Sequence, residues 1–367
     1  KADIADLRRW HRAAVRRSVQ AGFDLVYVYA GHNLAAAHHF LSPRFNQRTD
    51  EYGGSLENRM RLLRELIEEA VEEADGAAAV ACRITVDELI GEAGISRPEI
   101  EEIIGTLGEL PDLWDFVPGN WADDSMTSRF GPEGHQEEWV TGLKQLTSKP
   151  VVGVGRFTSP DTRVRMIRQG ILDFIGAARP SIADPFLPRK IEEGRLEDIR
   201  ECIGCNICVS GDWTMSPIRC TQNPSMGDEW RRGWHPERMK PKGSEAKVLV
   251  VGAGPAGLEA AQALGKRGYG VVLVEKSRQL GGRVAREARL PGLAAWIRVV
   301  DYREAQIQKL ATVEHYFESE MTAAEALTYD FDHVVVATGS TWRGDGVGRW
   351  HTRPMPIDRG MEVLTPD

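Results

Sequence analysis

Short apolar runs recur through the first half of the chain, each preceded by a stretch whose apolar residues return every three or four positions. The helical stretches RRWHRAAVRRSVQAG, SLENRMRLLRELIEEAVEEA, RPEIEEIIGTLGEL, HQEEWVTGLKQLTSK and SPDTRVRMIRQG alternate with the strands LVYVYA, AVACRITV, LWDFVPG, VVGVGRF and DFIGAARP. Strands that are apolar almost throughout belong to a parallel sheet buried on both faces. The alternation with helices predicts the α/β class. Polar residues recur just past the carboxyl ends of all five strands, which favours the later part of a (β/α)8 barrel over a doubly wound open sheet. Three further units are then expected upstream of Lys1 in the full-length chain.

The rhythm stops near position 200. Residues 201–245 carry little periodicity but hold CIGCNICVSGDWTMSPIRC, with Cys202, Cys205, Cys208 and Cys220. Three cysteines at successive intervals of three, with a fourth more distant, suit the corners of one iron–sulfur cube; a zinc site more often splits its ligands two and two. Periodicity returns at KVLVVGAGPAGLEAAQAL, a strand, a glycine loop and a helix, followed by the strand YGVVLVEK. GxGxxG alone is a weak signal. Here Gly252, Gly254 and Gly257 follow a strand and open a helix, and Glu275 ends the next strand, the context in which a backbone cradles a pyrophosphate and a carboxylate takes the ribose hydroxyls. The pair in QLGGR and the strand VVVATGS at 334–340 fit the same kind of Rossmann domain. Three segments are expected: barrel units in 1–200, a cluster-bearing connector in 201–245, and a partial nucleotide-binding domain in 246–367.

Composition narrows the function classes. The 367 residues are 42% hydrophobic and 27% charged, ample for more than one globular core. A net charge of −8 leaves no basic face to neutralise phosphates, so a nucleic-acid partner is not expected. No apolar run is long enough to cross a bilayer. The chain has five cysteines, four of them in the cluster motif, so a disulfide framework is not expected and a reducing, cytoplasmic setting is. The fifth, Cys82, sits in AVACRITV and reads as a buried small hydrophobe. Arg83 follows it inside the same apolar strand, where an unpaired guanidinium would be very costly, so a partner must stand opposite it.

The run FLSPRFNQRTDEYGGSLENR resembles the old yellow enzyme class of flavin barrels. Together with CIGCNIC, CTQNPSMGDEWRRGWHPE and VVGAGPAGLEAA, in that order, the whole chain resembles the trimethylamine, dimethylamine and histamine dehydrogenase family. The resemblance implies FMN in the barrel, a [4Fe–4S] cluster on the connector, ADP in the Rossmann domain, a homodimer, and an electron-transfer flavoprotein or similar one-electron acceptor. It places the flavin phosphate at GVGRF and GAARPS, through Gly155, Arg156, Ala178 and Arg179, and Arg83 beside the flavin pyrimidine edge. It implies a catalytic relay of Tyr29, His32 and Asp124, and Trp121 as one wall of an aromatic bowl that grips an alkylammonium ion by cation–π attraction. Trimethylamine enzymes carry another tryptophan four residues past the third cluster cysteine; this chain has Asp212 there and Trp213 one place later.

The expected activity is therefore oxidation of a small amine, histamine or dimethylamine rather than trimethylamine, with Asp212 meeting a second basic group. An NADPH-dependent enoate reductase of the 2,4-dienoyl-CoA reductase type, with FAD in place of ADP, is the alternative. The cysteine that would attach FMN covalently lies upstream of Lys1.

Overall fold

The computed structural model describes residues 1–211, 215–233, 237–348 and 351–365. It divides into two compact units, Lys1–Gly233 with Pro291–Ala295, and the remainder.

In the first unit five parallel strands pair in chain order: β1 (Leu25–Ala30), β2 (Ala79–Thr85), β3 (Leu113–Val117), β4 (Val151–Gly153) and β5 (Phe174–Ile175). They are consecutive strands of the (β/α)8 barrel, joined by helical crossovers. Side chains alternate between faces. One face puts Val28, Cys82, Trp114 and Val151 into the core against the helices. The helix Leu56–Ala74 shows why that core forms. Ser55 caps it by accepting from the Asn58 amide, Met60, Leu63, Ile67, Ala70 and Ala74 are buried along one stripe, and Asp75 ends it in the left-handed conformation. Its outer face meets helix Ala2–Gln20 through the ion pairs Arg8–Glu69, Arg12–Glu73 and Arg16–Glu73.

The other face carries a polar row. The parallel register sets Tyr29 beside Arg83, Arg83 beside Asp115, Asp115 beside Val152, and Val152 beside Phe174. Residues in register on neighbouring strands share a face, so Tyr29, Arg83 and Asp115 stand side by side at the carboxyl half of the sheet.

The stretch expected as one helix over HQEEWVTGLKQLTSK divides into a turn of helix at Glu137–Val140 and a 3-10 turn at Leu143–Leu146, with left-handed Gly142 between them. Arg97 stabilises the break by donating to the carbonyls of Trp139 (2.6 Å) and Thr141 (2.8 Å), which a continuous helix would have used internally.

The second unit has parallel strands β6 (Lys247–Val251), β7 (Gly270–Val274), β8 (Val313–Tyr316) and β9 (His333–Val336) in the order β8-β7-β6-β9. β9 covers only the start of the strand expected at 334–340. Helices Pro255–Lys266 and Arg298–Gln308 pack on this sheet through Leu258, Ala261, Val300 and Ile307. No helix among the described residues is long and apolar enough to cross a membrane.

Candidate functional site

Past the end of β1 the backbone turns sharply at His32 and Asn33, both left-handed with φ near 60°. Such a conformation is uncommon outside glycine and persists only where the surroundings hold it. Here the Thr85 hydroxyl, at the end of β2, accepts from the His32 amide at 2.9 Å, and His32 bridges to Asn120. Past β3, Asn120 caps a single helical turn, Trp121–Asp124, by accepting from the Ala122 amide. Positions three apart share one helix face, so Trp121 and Asp124 are delivered together.

These turns bring Tyr29, His32 and Asp124 into one chain of contacts. The Tyr29 hydroxyl lies 2.5 Å from His32 Nδ1, and His32 Nε2 lies 3.3 Å from Asp124 Oδ2. Nε2 is buried without an aligned hydrogen-bond partner, and the carboxylate beside it can only accept, so the contact favours the neutral imidazole with its proton on Nε2 and with Nδ1 accepting from Tyr29. Asp124 is braced further: Gln136 Nε2 donates to Oδ1 at 2.7 Å, and Arg83 Nη2 lies 3.4 Å from Oδ2. Burial pushes the Asp124 carboxyl up, but the bonds from His32 and Gln136 and the Arg83 charge outweigh it and hold it below its ordinary value. Burial raises the Tyr29 phenol. The partner that Arg83 requires is thus double, Asp124 on Nη2 and Asp115 on Nη1 at 3.5 Å.

Tyr29, His32, Arg83, Trp121 and Asp124 line an open cavity of about 380 Å³ together with Gly155, Arg156, Ala178, Arg179 and Cys208. The phosphate-side candidates therefore face the same space as the relay. Gly155, with φ of +155°, and left-handed Arg156 form the turn after β4. Arg179 donates through Nη1 to the carbonyls of Ser125 and Met126 and to Asn206, so it also ties this rim to the cysteine loop. A cavity lined by Arg156 and Arg179 from the loops and by Arg83 with Asp124 has the donors that a flavin phosphate and an isoalloxazine ring require.

The cysteine loop packs on the same rim. Left-handed Gly204 has the Ser128 amide 3.0 Å from where a Cβ would stand, so no larger residue fits, and its carbonyl accepts from that amide. Backbone amides donate to sulfur from Gly204 to Cys202 and from Gln222 to Cys220, and the Thr221 hydroxyl lies 3.2 Å from Cys205 Sγ. Burial pushes the Cys202 thiol up to about 11 and raises Cys208 and Cys220 too. Bound metal would be needed to hold them as thiolates. Among the described residues no group of three or more His, Cys, Asp or Glu is close enough for one ion. Cys205 nevertheless lies close enough to Cys202, Cys208 and Cys220 to disfavour the charged form of each of those three, a looser grouping that suits a cube with its thiolates on separate iron atoms. Cys82 is fully buried among apolar residues. Asp212 and Trp213 lie outside the described residues.

In the second unit the three glycines have separate steric reasons. A Cβ at Gly257 would stand 1.8 Å from the Gly252 carbonyl oxygen, and one at Gly252 would stand 2.4 Å from that of Ala337, whereas Gly254 faces open space. The first two permit close packing, and the third leaves room for a pyrophosphate. Glu275 accepts from the Ala253 amide at 2.7 Å and from Ser277, which fixes its carboxylate beneath the loop. Gly281, from the second pair, donates to the Ala253 carbonyl at 2.8 Å.

Sequence reasoning missed three residues. Asp115 had a signal, a lone acid in the apolar strand next to the lone base it pairs with. Thr85 and Gln136 had none, since only the folded chain brings a strand-end hydroxyl and a loop amide to His32 and Asp124.

Residues 1–198 match the NADH:flavin oxidoreductase / NADH oxidase family and residues 246–348 the pyridine nucleotide-disulphide oxidoreductases. The chain is 44% identical to dimethylamine dehydrogenase of Hyphomicrobium sp. (strain x), over all of this chain and 52% of that protein. The structure of histamine dehydrogenase from Rhizobium sp. 4-9 superposes with a TM-score of 0.94 at 60% identity, covering all of this chain and 53% of that one. That of 6-hydroxypseudooxynicotine amine oxidase from Pseudomonas geniculata N1 superposes with a TM-score of 0.92 at 52% identity, covering 97% and 53%. The chain thus spans about half the length of the relatives it matches.

Proposed function

The chain belongs to the NADH:flavin oxidoreductase / NADH oxidase family, within its trimethylamine, dimethylamine and histamine dehydrogenase group, and from that membership we propose that its full-length protein oxidises a small amine to an imine, which water hydrolyses to an aldehyde and a smaller amine or ammonia. The observation that carries the proposal is the continuous contact from Tyr29 through His32 to Asp124, set in a cavity that also holds Arg83, the two loop arginines and a cluster cysteine.

FMN, the cofactor of the family, would accept two electrons from the amine, and a [4Fe–4S] cluster on residues 201–245 would pass them singly to an electron-transfer flavoprotein or similar carrier. Gly155, Arg156, Ala178 and Arg179 would hold the flavin phosphate, and Arg83 would stand at the pyrimidine edge. The geometry supports the following roles for the chain's own groups. Asp124, kept ionised, holds the proton on His32 Nε2. His32 Nδ1 then draws the Tyr29 hydroxyl hydrogen, which leaves the phenol oxygen richer in electron density towards the cavity and suited to bind an amine N–H. Trp121, at the rim, offers its ring face to the ammonium or to neighbouring methylenes.

In residues 246–367 the loop Gly252, Gly254, Gly257 with Glu275 would hold ADP rather than a reducing nicotinamide. We assign histamine or dimethylamine as substrate over trimethylamine because Asp212 stands where a bowl tryptophan is expected. A cytoplasmic homodimer is the assembly this reading carries. Cofactor analysis of the purified full-length protein tests it against the enoate-reductase alternative: FMN, four iron atoms and ADP per chain are expected, and FAD together with freely dissociable FMN would favour the reductase.

A further inference from the structure

Asp115 is the one carboxylate in the polar row across β1, β2 and β3, and the relay does not use it. It is 4% exposed. Its Oδ2 lies 3.5 Å from Arg83 Nη1, and its Oδ1 is buried with no hydrogen-bond partner. Arg83 is therefore held between two acids, Asp115 on its own row and Asp124 on the helical turn above. The arrangement is over-supplied with negative charge: one guanidinium faces two carboxylates, and one of those has an oxygen that nothing satisfies. Burying such an oxygen is costly while the group is ionised and far less so once a proton sits on it.

The geometry points to Asp115 as a positioning residue that sets how much of the Arg83 charge reaches the cavity: ionised, it draws the guanidinium back onto the strand row; protonated, it leaves that charge to Asp124 and to whatever occupies the cavity floor. The groups that face Asp115 are Tyr27, whose hydroxyl favours the ionised form, and Tyr29 from β1, Arg83 from β2, and Asp124 and His32 from the turns above; its neighbour on β4 is the apolar Val152. Burial is the largest influence and raises the Asp115 carboxyl to about 6, Arg83 opposing and Asp124 adding to it. The switch therefore falls between mildly acidic and neutral pH.

The inference rests on the reading that Arg83 lies beside the flavin, and it deepens that reading. A positive charge there stabilises a reduced, more negative flavin, so the flavin's midpoint potential reports the state of Asp115 without any substrate. The experiment is dye-equilibrated reductive titration of the full-length holoenzyme at about pH 5 and about pH 8, for wild type, Asp115→Asn and Arg83→Gln. At pH 8 Asp115→Asn should lie positive of wild type by a tenfold change in the reduction equilibrium, about 30 mV for a two-electron couple. At pH 5 the two should converge, because wild type then carries its proton. A residue that merely packs would shift both values equally, so a pH-independent difference, or none, overturns the proposal. If Arg83→Gln lowers the potential while Asp115→Asn does nothing, the proposal alone fails. If Arg83→Gln has no effect, the placement of Arg83 at the flavin fails and the proposal with it. Should Asp115→Asn not fold, Asp115→Ser serves the same comparison. The protonated-carboxyl infrared band of wild type, absent in either variant, should also titrate over this range; a band that does not would overturn the proposal as well.

Discussion

Gln136→Met removes one amide and little else. Gln136 is fully buried at the start of the turn that Gly142 breaks, and its Nε2 donates to Asp124 Oδ1 at 2.7 Å. Methionine keeps the volume and loses the donor. A hydrogen bond to a charged group contributes about 1.5–3 kcal/mol. About 1.4 kcal/mol corresponds to one pH unit of ionisation, so the loss should raise the Asp124 carboxyl by about one to two pH units. The sign follows from its environment. Asp124 lies below its ordinary value in the folded protein, so the ionised form that anchors His32 persists well into the acid range and is lost as pH falls through the folded value. Without Gln136 that loss comes at higher pH, and the proton on His32 Nε2 loses its acceptor sooner. Stopped-flow measurement of flavin reduction by histamine in the full-length enzyme, across about pH 5 to 9, reads the effect as an upward move of the acid limb with the alkaline limb unchanged. An acid limb that stays at its wild-type position, in a variant with normal cofactor content, would refute the placement of Asp124 as the anchor of the relay.

Replacing Cys205 by Ala should abolish the iron content of purified protein while Cys82→Ala leaves it unchanged, because Cys82 is sealed in the core away from the other four; iron retained without Cys205 would dismiss the ligand assignment. Gly257→Ala forces a methyl to 1.8 Å from a backbone oxygen, so adenine nucleotide released on acid denaturation should disappear while amine still reduces the flavin; nucleotide bound at normal stoichiometry would contradict the site. Asp212→Trp should lower kcat/KM for histamine by tenfold or more with a smaller change for dimethylamine, and equal rates on histamine before and after the change would remove Asp212 from substrate recognition.

The fold was legible because its signals are local. Strand runs such as LVYVYA and VVGVGRF, and the stripe Met60, Leu63, Ile67, need only periodicity to be read. The relay was legible in part. Tyr29, His32 and Asp124 were found through resemblance to a family, and the structure adds the left-handed turn at His32 and the Thr85 hydroxyl that holds it. What the pattern could not give were contacts decided by register and by breaks. Asp115 pairs with Arg83 only because β2 and β3 align residue for residue. Gln136 reaches Asp124 only because the loop after β3 returns to the site before a short helical turn that Arg97 and Gly142 end early. Helix periodicity over HQEEWVTGLKQLTSK is sound, yet Arg97 comes from another crossover and captures the carbonyls that would have continued it.

The central claim is that electrons enter this flavin from an amine rather than from a nicotinamide. Anaerobic mixing of the oxidised full-length protein with histamine, with dimethylamine and with NADPH, followed at the flavin absorbance, tests it directly. The account predicts bleaching by at least one of the amines and none by NADPH on the turnover timescale; rapid bleaching by NADPH with both amines inert would contradict it.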